Sequence, residues 1–447
     1  NERILCIFKL FPIFRHGART PVSTYNSDPH KNYSWPGGLG SLTNVIEGKV
    51  QLFNLGLMLR KQYSGFLPLE YLEQDLYVVS SDAPRTISSA SCLLAGLYPP
   101  GPRQRWHPKI LWQPIPVHTI PRNMDKVTII NKESSLKGVR FVFGSLQRIP
   151  LSTNCVKYQP LFDNLTVHCN QTIQDVLTVE LLYSALSIER DNGLQLPEWT
   201  EELLPAMLEG TCASFTAFAY DTSLKRLQGG PLLSDILTNM KKKDEGSLVP
   251  DRKMFLYSGH DLTIATMWRT LGFEECLLPE YGAAMIIELH SIPETEVSEV
   301  KLLYSNNTKV QPQELQIPNC AKPCTLADFV NVTLDVIPID WEAECQNKND
   351  TLKLLICLIK NYPFHMILLR DICRAILYLL WDFFVKSPIR LCDFLRLLFD
   401  FSMGRCQIST VSCHKIGEAG LIPIEKAIDS HRKSHKFDRR SHFSSLK

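Results

Sequence analysis

The chain has 447 residues, 45% of them hydrophobic and 21% charged, with a formal net charge of +2. That length holds one large domain or two smaller ones, and the composition is that of an ordinary globular protein with a sizeable core. Residues 352–447 carry 16 Lys and Arg against 8 Asp and Glu, leaving 32 basic and 38 acidic residues in 1–351; a mildly acidic body argues against nucleic-acid binding.

A near-continuous apolar run from Ile4 to Phe14 reads as a buried strand. It delivers Phe14-Arg15-His16-Gly17-Ala18-Arg19-Thr20-Pro21, with two arginines four apart and a histidine beside the first. Each guanidinium offers a planar fork of donors suited to phosphate, and the imidazole can attack phosphorus or hydrogen-bond its oxygens. Arg-His-Gly alone is also what a charged loop looks like. The full R-H-G-x-R-x-P pattern directly after a buried strand points to a phosphate site.

A turn-rich loop follows, with Asp28-Pro29, Trp35-Pro36 and Gly37-Gly38. Asn44 to Tyr63 reads as an amphipathic helix with Val45, Leu52, Leu55 and Leu59 on its apolar face and Thr43 as its cap. A short strand, Leu76–Ser80, opens into Ser81-Asp82-Ala83-Pro84-Arg85-Thr86 and a helix to about Leu97. Asp82 is the expected N-cap and Pro84 suits the first turn, so Arg85 falls at a helix N-terminus, where anions are favoured. Leu111–Pro121 reads as extended, and its His118 as a structural or pocket-wall histidine. Residues 122–250 lack clear strands and show helical patterns near Thr172–Ser187 and Glu201–Tyr220, a mainly helical insertion. Lys253–Ser258 is a strand, followed by Gly259-His260-Asp261 and a helix from about Leu262 to Leu271; Ala283–Leu289 and Val300–Tyr304 read as two further strands.

From Thr351 the character changes. Apolar stretches at 352–359, 367–369 and 375–385 are interrupted by Lys360, Arg370, Asp371, Arg374 and Asp382, and no run reaches the roughly 18 uncharged apolar residues of a spanning helix. Ser430–Lys447 is basic, His-rich and expected to be disordered. Three readings of this tail stand side by side: an interfacial membrane helix, a partner-binding helix, or an extension without selected structure.

The first residue is Asn1, so any signal peptide lies outside this sequence, and secretion has to be argued indirectly. N-glycosylation triplets at Asn32, Asn164, Asn170, Asn306, Asn331 and Asn349 favour the secretory pathway. Of the 14 cysteines, Cys320 and Cys324 flank Pro323 and suit either a small disulfide loop or half a zinc site. No second closely spaced Cys/His pair in the body would complete such a site.

Three strand ends carry the candidate residues: Arg15, His16 and Arg19 after the first, Arg85 after the second, His260 and Asp261 after the third. In an open parallel sheet these ends share one edge, where α/β proteins bind ligands. Arg15, Arg19 and Arg85 would clamp phosphoryl oxygens and absorb developing charge, so no metal or other cofactor is called for. His16 is the candidate nucleophile, its pKa lowered by surrounding cations. Asp261 would protonate the leaving oxygen and then activate water, and His260 would bind phosphate. An acid that must start protonated implies an acidic optimum.

With these residues placed, the sequence resembles the histidine acid phosphatase family, in the branch of the prostatic and lysosomal enzymes, over about residues 4–345. Besides the two catalytic motifs, the resemblance rests on Ser34-Trp35-Pro36, the run from Leu111 to Thr119, Arg226-Leu227-Gln228-Gly229-Gly230, and Ile337-Pro338-Ile339-Asp340-Trp341. It implies nucleophile His16, phosphate ligands Arg15, Arg19, Arg85 and His260, and proton donor Asp261. It also implies a three-layer α/β/α sandwich of phosphoglycerate mutase-like type with a smaller helical domain, secretion or lysosomal residence, and commonly a homodimer. Cys320–Cys324 and Cys155–Cys345 match two family disulfides. A third is absent, its positions taken by Ile188 and Ala284 on rough alignment. Ala18 stands where near relatives have an acidic residue and is similar to the phytase branch. Residues 346–447 match nothing in the family.

The leading reading is an acid phosphatase acting on phosphate monoesters of small molecules or proteins. The first alternative is a phytase-like phosphatase of polyphosphorylated substrates. A phosphoglycerate-mutase-like transferase shares the motif logic but fits a secretory chain poorly. A catalytically silent secreted binding protein is expected to have lost His16 or Asp261, and a membrane-associated adaptor built on the tail leaves the body unexplained.

Overall fold

The computed structural model describes residues 6–43, 47–122, 124–128, 151–292 and 297–345. These lie within one compact unit, Asn1–Leu355. The tail from 346 onward, with its three readings, falls outside the described residues.

The apolar run that opens the chain becomes β1 (Cys6–Arg15), and the motif begins at its last residue. With β2 (Leu76–Ser81), β3 (His118–Ile120), β4 (Met254–Gly259), β5 (Ala284–Ile292), β6 (Val297–Ser305) and β7 (Gln313–Leu315) it builds one mixed sheet in the order β3-β2-β4-β1-β5-β6-β7. Strands β1 to β4 run parallel to their neighbours among themselves, while β5, β6 and β7 are antiparallel. The sheet is therefore parallel only over the half that carries the motifs. In that half Arg15 lies opposite Gly259 and Ser81 opposite Ile120, so these carboxyl ends meet at one edge.

Alternation along β1 decides which residues face which layer. Phe11 and Ile13 enter one core with Tyr257, Met285, Ile287 and the helices Gly230–Asp244 and Asp261–Thr270. Leu10 and Phe14 enter the opposite core with Val78, Leu256 and Ile286, under α1 (Gly48–Gln62) and α2 (Pro84–Leu97). Two buried faces give the three-layer α/β/α arrangement. Between β3 and β4 the described chain is helical: α3 (Leu151–Cys169), α4 (Val176–Asp191), α5 (Trp199–Ala217), α6 (Thr222–Gln228) and α7 (Gly230–Asp244). Of these, α3, α4 and α5 share a separate core around Leu165, Val179, Leu186 and Met207. The remaining helices are α8 (Asp261–Thr270), α9 (Leu326–Thr333) and α10 (Trp341–Cys345).

Two capping expectations change. The N-cap position of α1 is Glu47, yet Thr43 still serves this end from a distance, its hydroxyl accepting from the Gly48 amide. The N-cap of α2 is Ala83 and not Asp82, with no side-chain cap. The Thr86 hydroxyl ties this turn instead, donating to the Ser81 and Ala83 carbonyls.

Cys320 and Cys324 form a disulfide, which closes the small-loop alternative against the zinc one. Cys155 and Cys345 have side chains outside the described residues. A bridge that the sequence did not announce, Cys212–Cys276, joins α5 to the loop between α8 and β5. The stretches 226–230 and 337–341 prove to be neighbours: Arg226 pairs with Glu344, and the Trp341 indole donates to the Leu227 carbonyl.

Gly17 owes its identity to space. A Cβ there would sit 2.1 Å from the Gly48 carbonyl oxygen and 2.7 Å from Leu52 Cδ2. Gly17→Ala is therefore expected to lower the unfolding free energy by about 1–3 kcal/mol in urea titrations, because a backbone carbonyl cannot step aside as a flexible side chain does. A variant as stable as the parent would mean that the β1–α1 junction is looser than this contact implies.

Candidate active site

Each element brings one piece to the shared edge. The backbone leaves β1 through a bond from His16 N–H to the Gly259 carbonyl, 3.1 Å, which lays the first motif beside the second. The His16 ring is buried, 1% exposed. Its Nδ1 lies 2.8 Å from the Gly17 carbonyl, an acceptor only, so Nδ1 carries the proton and Nε2 the lone pair. Nε2 accepts from Arg85 Nε at 3.1 Å. Burial first, then the charge of Arg15, with His260, Arg85 and Arg19 adding to it, holds the His16 pKa well below its ordinary value of 6.5. The ring is thus an uncharged base with its lone pair facing guanidinium donors.

Three arginines surround it, and a fourth acts on its neighbours. The Arg15 guanidinium stacks 3.9 Å over the Tyr281 ring, donates to the Pro279 carbonyl at 2.6 Å and pairs with Asp261 Oδ2 at 3.0 Å. Its Nε is buried with no acceptor among the protein's groups. Arg19, 8% exposed, donates to the Thr20 carbonyl and to Ser184 Oγ on α4, which ties the helical segment to the motif. Arg85 is lowered to about 10 by burial and by the Arg19 charge, still charged at any pH relevant here. The fourth, Arg122, follows β3 and was not singled out by sequence; its charge also lowers Arg85 and His260.

Burial, then the charge of Arg85, pushes His260 down to about 3, with Asp261 opposing. Its Nδ1 lies 3.5 Å from Arg85 Nη2, which can only donate, so in the neutral ring the proton sits on Nε2, 3.0 Å from Ser81 Oγ. Ser81 then points its hydrogen to Thr86 Oγ1, which in turn donates to the Ser81 and Ala83 carbonyls. Every donor in that row has an acceptor, which keeps His260 neutral and immobile. Asp261 opens α8, its Oδ1 accepting from the Leu262 amide at 2.8 Å and its Oδ2 facing Arg15.

All six residues expected from the sequence, Arg15, His16, Arg19, Arg85, His260 and Asp261, thus stand at one sheet edge. His118 does not: it is exposed on β3 and stacks on Tyr77. Tyr281, Ser184 and Ser81 were not legible, since each is an ordinary residue made relevant by its neighbour. Ala18 is buried, its amide bonded to Gln51. Among the glycosylation candidates Asn32, Asn164, Asn170 and Asn331 are exposed. Asn306 is partly buried and engaged with Tyr304 and Glu280, and Asn349 lies outside the described residues.

Residues 9–305 match the histidine phosphatase superfamily (branch 2). The chain belongs to this family. It is 34% identical over 349 residues to the lysosomal acid phosphatase of Homo sapiens, covering 75% of this chain and 79% of that one. It is 32% identical over 343 residues to the human prostatic acid phosphatase, covering 75% and 87%. A structure of Hafnia alvei phytase in complex with tartrate superposes with a TM-score of 0.56 over 76% of this chain and 98% of that chain; at 18% identity the likeness is one of fold.

The loop that continues from the motif is seated by a buried acid pair. Asn26 and Ser27 bond to residues 168–171 at the end of α3, and Asp28 meets Glu189 of α4. Glu189 is 1% and Asp28 7% exposed, and Glu189 Oε2 and Asp28 Oδ2 both lack a donor. One shared proton satisfies both oxygens. Burial, then the Asp28 charge and hydrogen bond, raises Glu189 from 4.5 to about 7. The folded protein therefore keeps a proton that the unfolded chain gives up at lower pH. This contribution is complete below pH 4.5 and is lost as the pH rises to about 7. Denaturant titrations at pH 4.5 and 7.5 should show Glu189→Gln losing less stability over that interval than the parent; parallel profiles would contradict the shared proton.

Proposed function

We propose that this chain is an acid phosphatase that hydrolyses phosphate monoesters through a phosphohistidine at His16. The observation that carries the reading is the unprotonated Nε2 of a buried histidine among Arg15, Arg19 and Arg85, with the Asp261 carboxylate 3.0 Å from Arg15. The family membership and the names of the acid phosphatase relatives support the same reaction.

A dianionic phosphoryl group entering this edge gives the orphaned Arg15 Nε–H an acceptor and takes the donor that Arg85 now offers to His16, freeing the Nε2 lone pair. It also draws Arg15 away from Asp261. A phosphate dianion beside that carboxyl favours its protonated form. The Nε2–P bond then forms as the ester O–P bond breaks, with the Asp261 proton passing to the leaving oxygen. In the second step water attacks phosphorus, Asp261 takes its proton, and the N–P bond breaks. The arginines need no proton changes in either step, and they supply the charge stabilisation for which other phosphoryl-transfer sites use metal ions. A bound phosphate dianion favours protonation of His260, whose Nδ1–H then donates to a phosphoryl oxygen while Nε2–H stays on Ser81.

Substrates in this reading are phosphate monoesters of small molecules or proteins. The exposed sequons and the lysosomal and prostatic relatives support a secreted or lysosomal protein, and the family resemblance supports a homodimer.

His16→Ala should lower phosphate release from 4-nitrophenyl phosphate at pH 5 by at least about 10³-fold, with or without chelator. Equal rates in parent and variant would end the mechanism, and chelator sensitivity would end its metal-free form. Asp261→Asn should cost about 10²–10⁴-fold with an alkyl phosphate but far less with 4-nitrophenyl phosphate, whose leaving oxygen needs little protonation. The parent rate should rise from pH 8 to pH 5, since His16 stays unprotonated in mild acid while Asp261 must begin protonated. A flat profile would contradict the assignment.

A further inference from the structure

β6 ends at Ser305 and runs straight into Asn306-Asn307-Thr308. Ser305 pairs with Ala284, and Ala284 with Phe14 of β1, so this turn lies at the edge that carries the site. Short side chains set the turn: Ser305 Oγ donates to the Asn307 carbonyl at 2.6 Å, and Asn307 Oδ1 accepts from the Lys309 amide at 2.9 Å. The two asparagine amides then reach across to Glu280. Asn306 Nδ2 donates to Glu280 Oε1 at 3.2 Å, Asn307 Nδ2 to Glu280 Oε2 at 3.1 Å, and Asn306 Oδ1 accepts from the Glu280 amide at 3.3 Å. Tyr304 donates to the same Oδ1 at 2.7 Å. A carboxylate only accepts and a peptide N–H only donates, so these partners fix which way the Asn306 amide faces. Packing backs the contact, since a Cβ on Gly282 would fall 2.6 Å from Thr308 Cγ2.

We propose that Asn306, seconded by Asn307, is a positioning residue for the phosphatase reaction: it grips Glu280 and so holds Pro279 and Tyr281 where they aim Arg15 at the phosphoryl group. The assignment rests on the phosphatase reading and deepens it. Glu280 stands between the two residues that hold Arg15. The Pro279 carbonyl accepts from Arg15 Nη1 at 2.6 Å, and the guanidinium stacks 3.9 Å over the Tyr281 ring. These residues belong to no helix or strand. The Cys212–Cys276 bridge ties their segment before them, and the bond from Gly282 N–H to the His16 carbonyl ties it after them. The asparagine grip acts between those ties, at the peptide that flanks both Arg15 contacts. An arginine side chain left free loses rotamer entropy when it binds an anion, whereas one already held loses little. The buried Arg15 Nε–H, which has no acceptor among the protein's groups, is a donor kept ready in this way. Each bond of the grip is worth little by itself, but all three act on one residue.

The test measures calorimetric binding of inorganic phosphate near pH 5, and hydrolysis of 4-nitrophenyl phosphate, in the parent, Asn306→Ala, Glu280→Ala and the double variant. Each single substitution should weaken phosphate binding and lower kcat/KM by about 3- to 10-fold, a loss of the size expected when one charge-assisted contact is misaligned. The double variant should be no worse than either single one, because the two residues act along one path. Against an Arg15→Ala background the same substitutions should cost nothing further, whereas a merely structural role would persist there. Thr308→Val removes the glycosylation triplet but keeps the Asn306 amide and the methyl packed on Gly282, and should match the parent. Binding unchanged in both single variants, a loss that survives in the Arg15→Ala background, or a loss reproduced by Thr308→Val would each overturn the assignment. Glu280 is exposed, so Glu280→Ala keeps the test available if Asn306→Ala fails to fold. Phosphate binding that depends on Asn306, in a parent that hydrolyses no monoester, would keep the grip and remove the reaction. Hydrolysis with binding indifferent to Asn306 and Glu280 would keep the reaction and remove the grip.

Discussion

The bond from His16 Nδ1 to the Gly17 carbonyl, 2.8 Å long, decides which imidazole nitrogen holds the proton, and the remainder of the site is arranged around that choice. With Nδ1 spent on a backbone acceptor, the lone pair of Nε2 has one direction to face, toward Arg85. Burial and guanidinium charge then keep the ring unprotonated where a free histidine would be charged. The same cations that suppress protonation are the ones a phosphoryl group needs, so a single arrangement prepares the nucleophile and its electrophile together.

The sheet supplies the precision. Arg15 lies opposite Gly259 in a parallel pair and Ser81 opposite Ile120, so the loops leave their strands side by side at one edge. Gly17 lets the β1 exit pass under the Gly48 carbonyl, and the helical segment reaches in through Ser184 to hold Arg19. The Cys212–Cys276 bridge fastens α5 to the loop whose Pro279 carbonyl and Tyr281 ring hold Arg15. Positioning of the charged groups therefore comes from every layer of the fold, while the chemistry comes from three strand ends.

The parts legible in the sequence were those with a strong local pattern. An apolar run ending in Arg-His-Gly-x-Arg fixed β1 and its site, and small residues before His260-Asp261 marked the β4 exit. What escaped was whatever depends on partners distant in the chain. Nothing local distinguishes Ser81 or Tyr281 from other serines and tyrosines, and Arg122 is one arginine in a polar loop. Asp82 was the plausible cap of α2 on propensity alone, but the turn closes through Thr86 and leaves Ala83 at that position. The antiparallel half of the sheet was likewise hidden, because β5 and β6 read as strands whatever their direction. Glu189 was invisible as a buried acid since its helix gives no sign of Asp28, which lies far earlier in the chain.

The central claim is a covalent bond between phosphorus and His16 Nε2, and the most direct measurement is to trap it. The protein is mixed with a ³²P-labelled monoester near pH 5 and quenched within the first turnover into alkali, in which a phosphohistidine survives. Proteolysis then locates the label. The account predicts labelled protein whose radioactivity resides in the peptide containing His16. Turnover that proceeds without protein-bound label at any quench time, or label residing on a different residue, would contradict it.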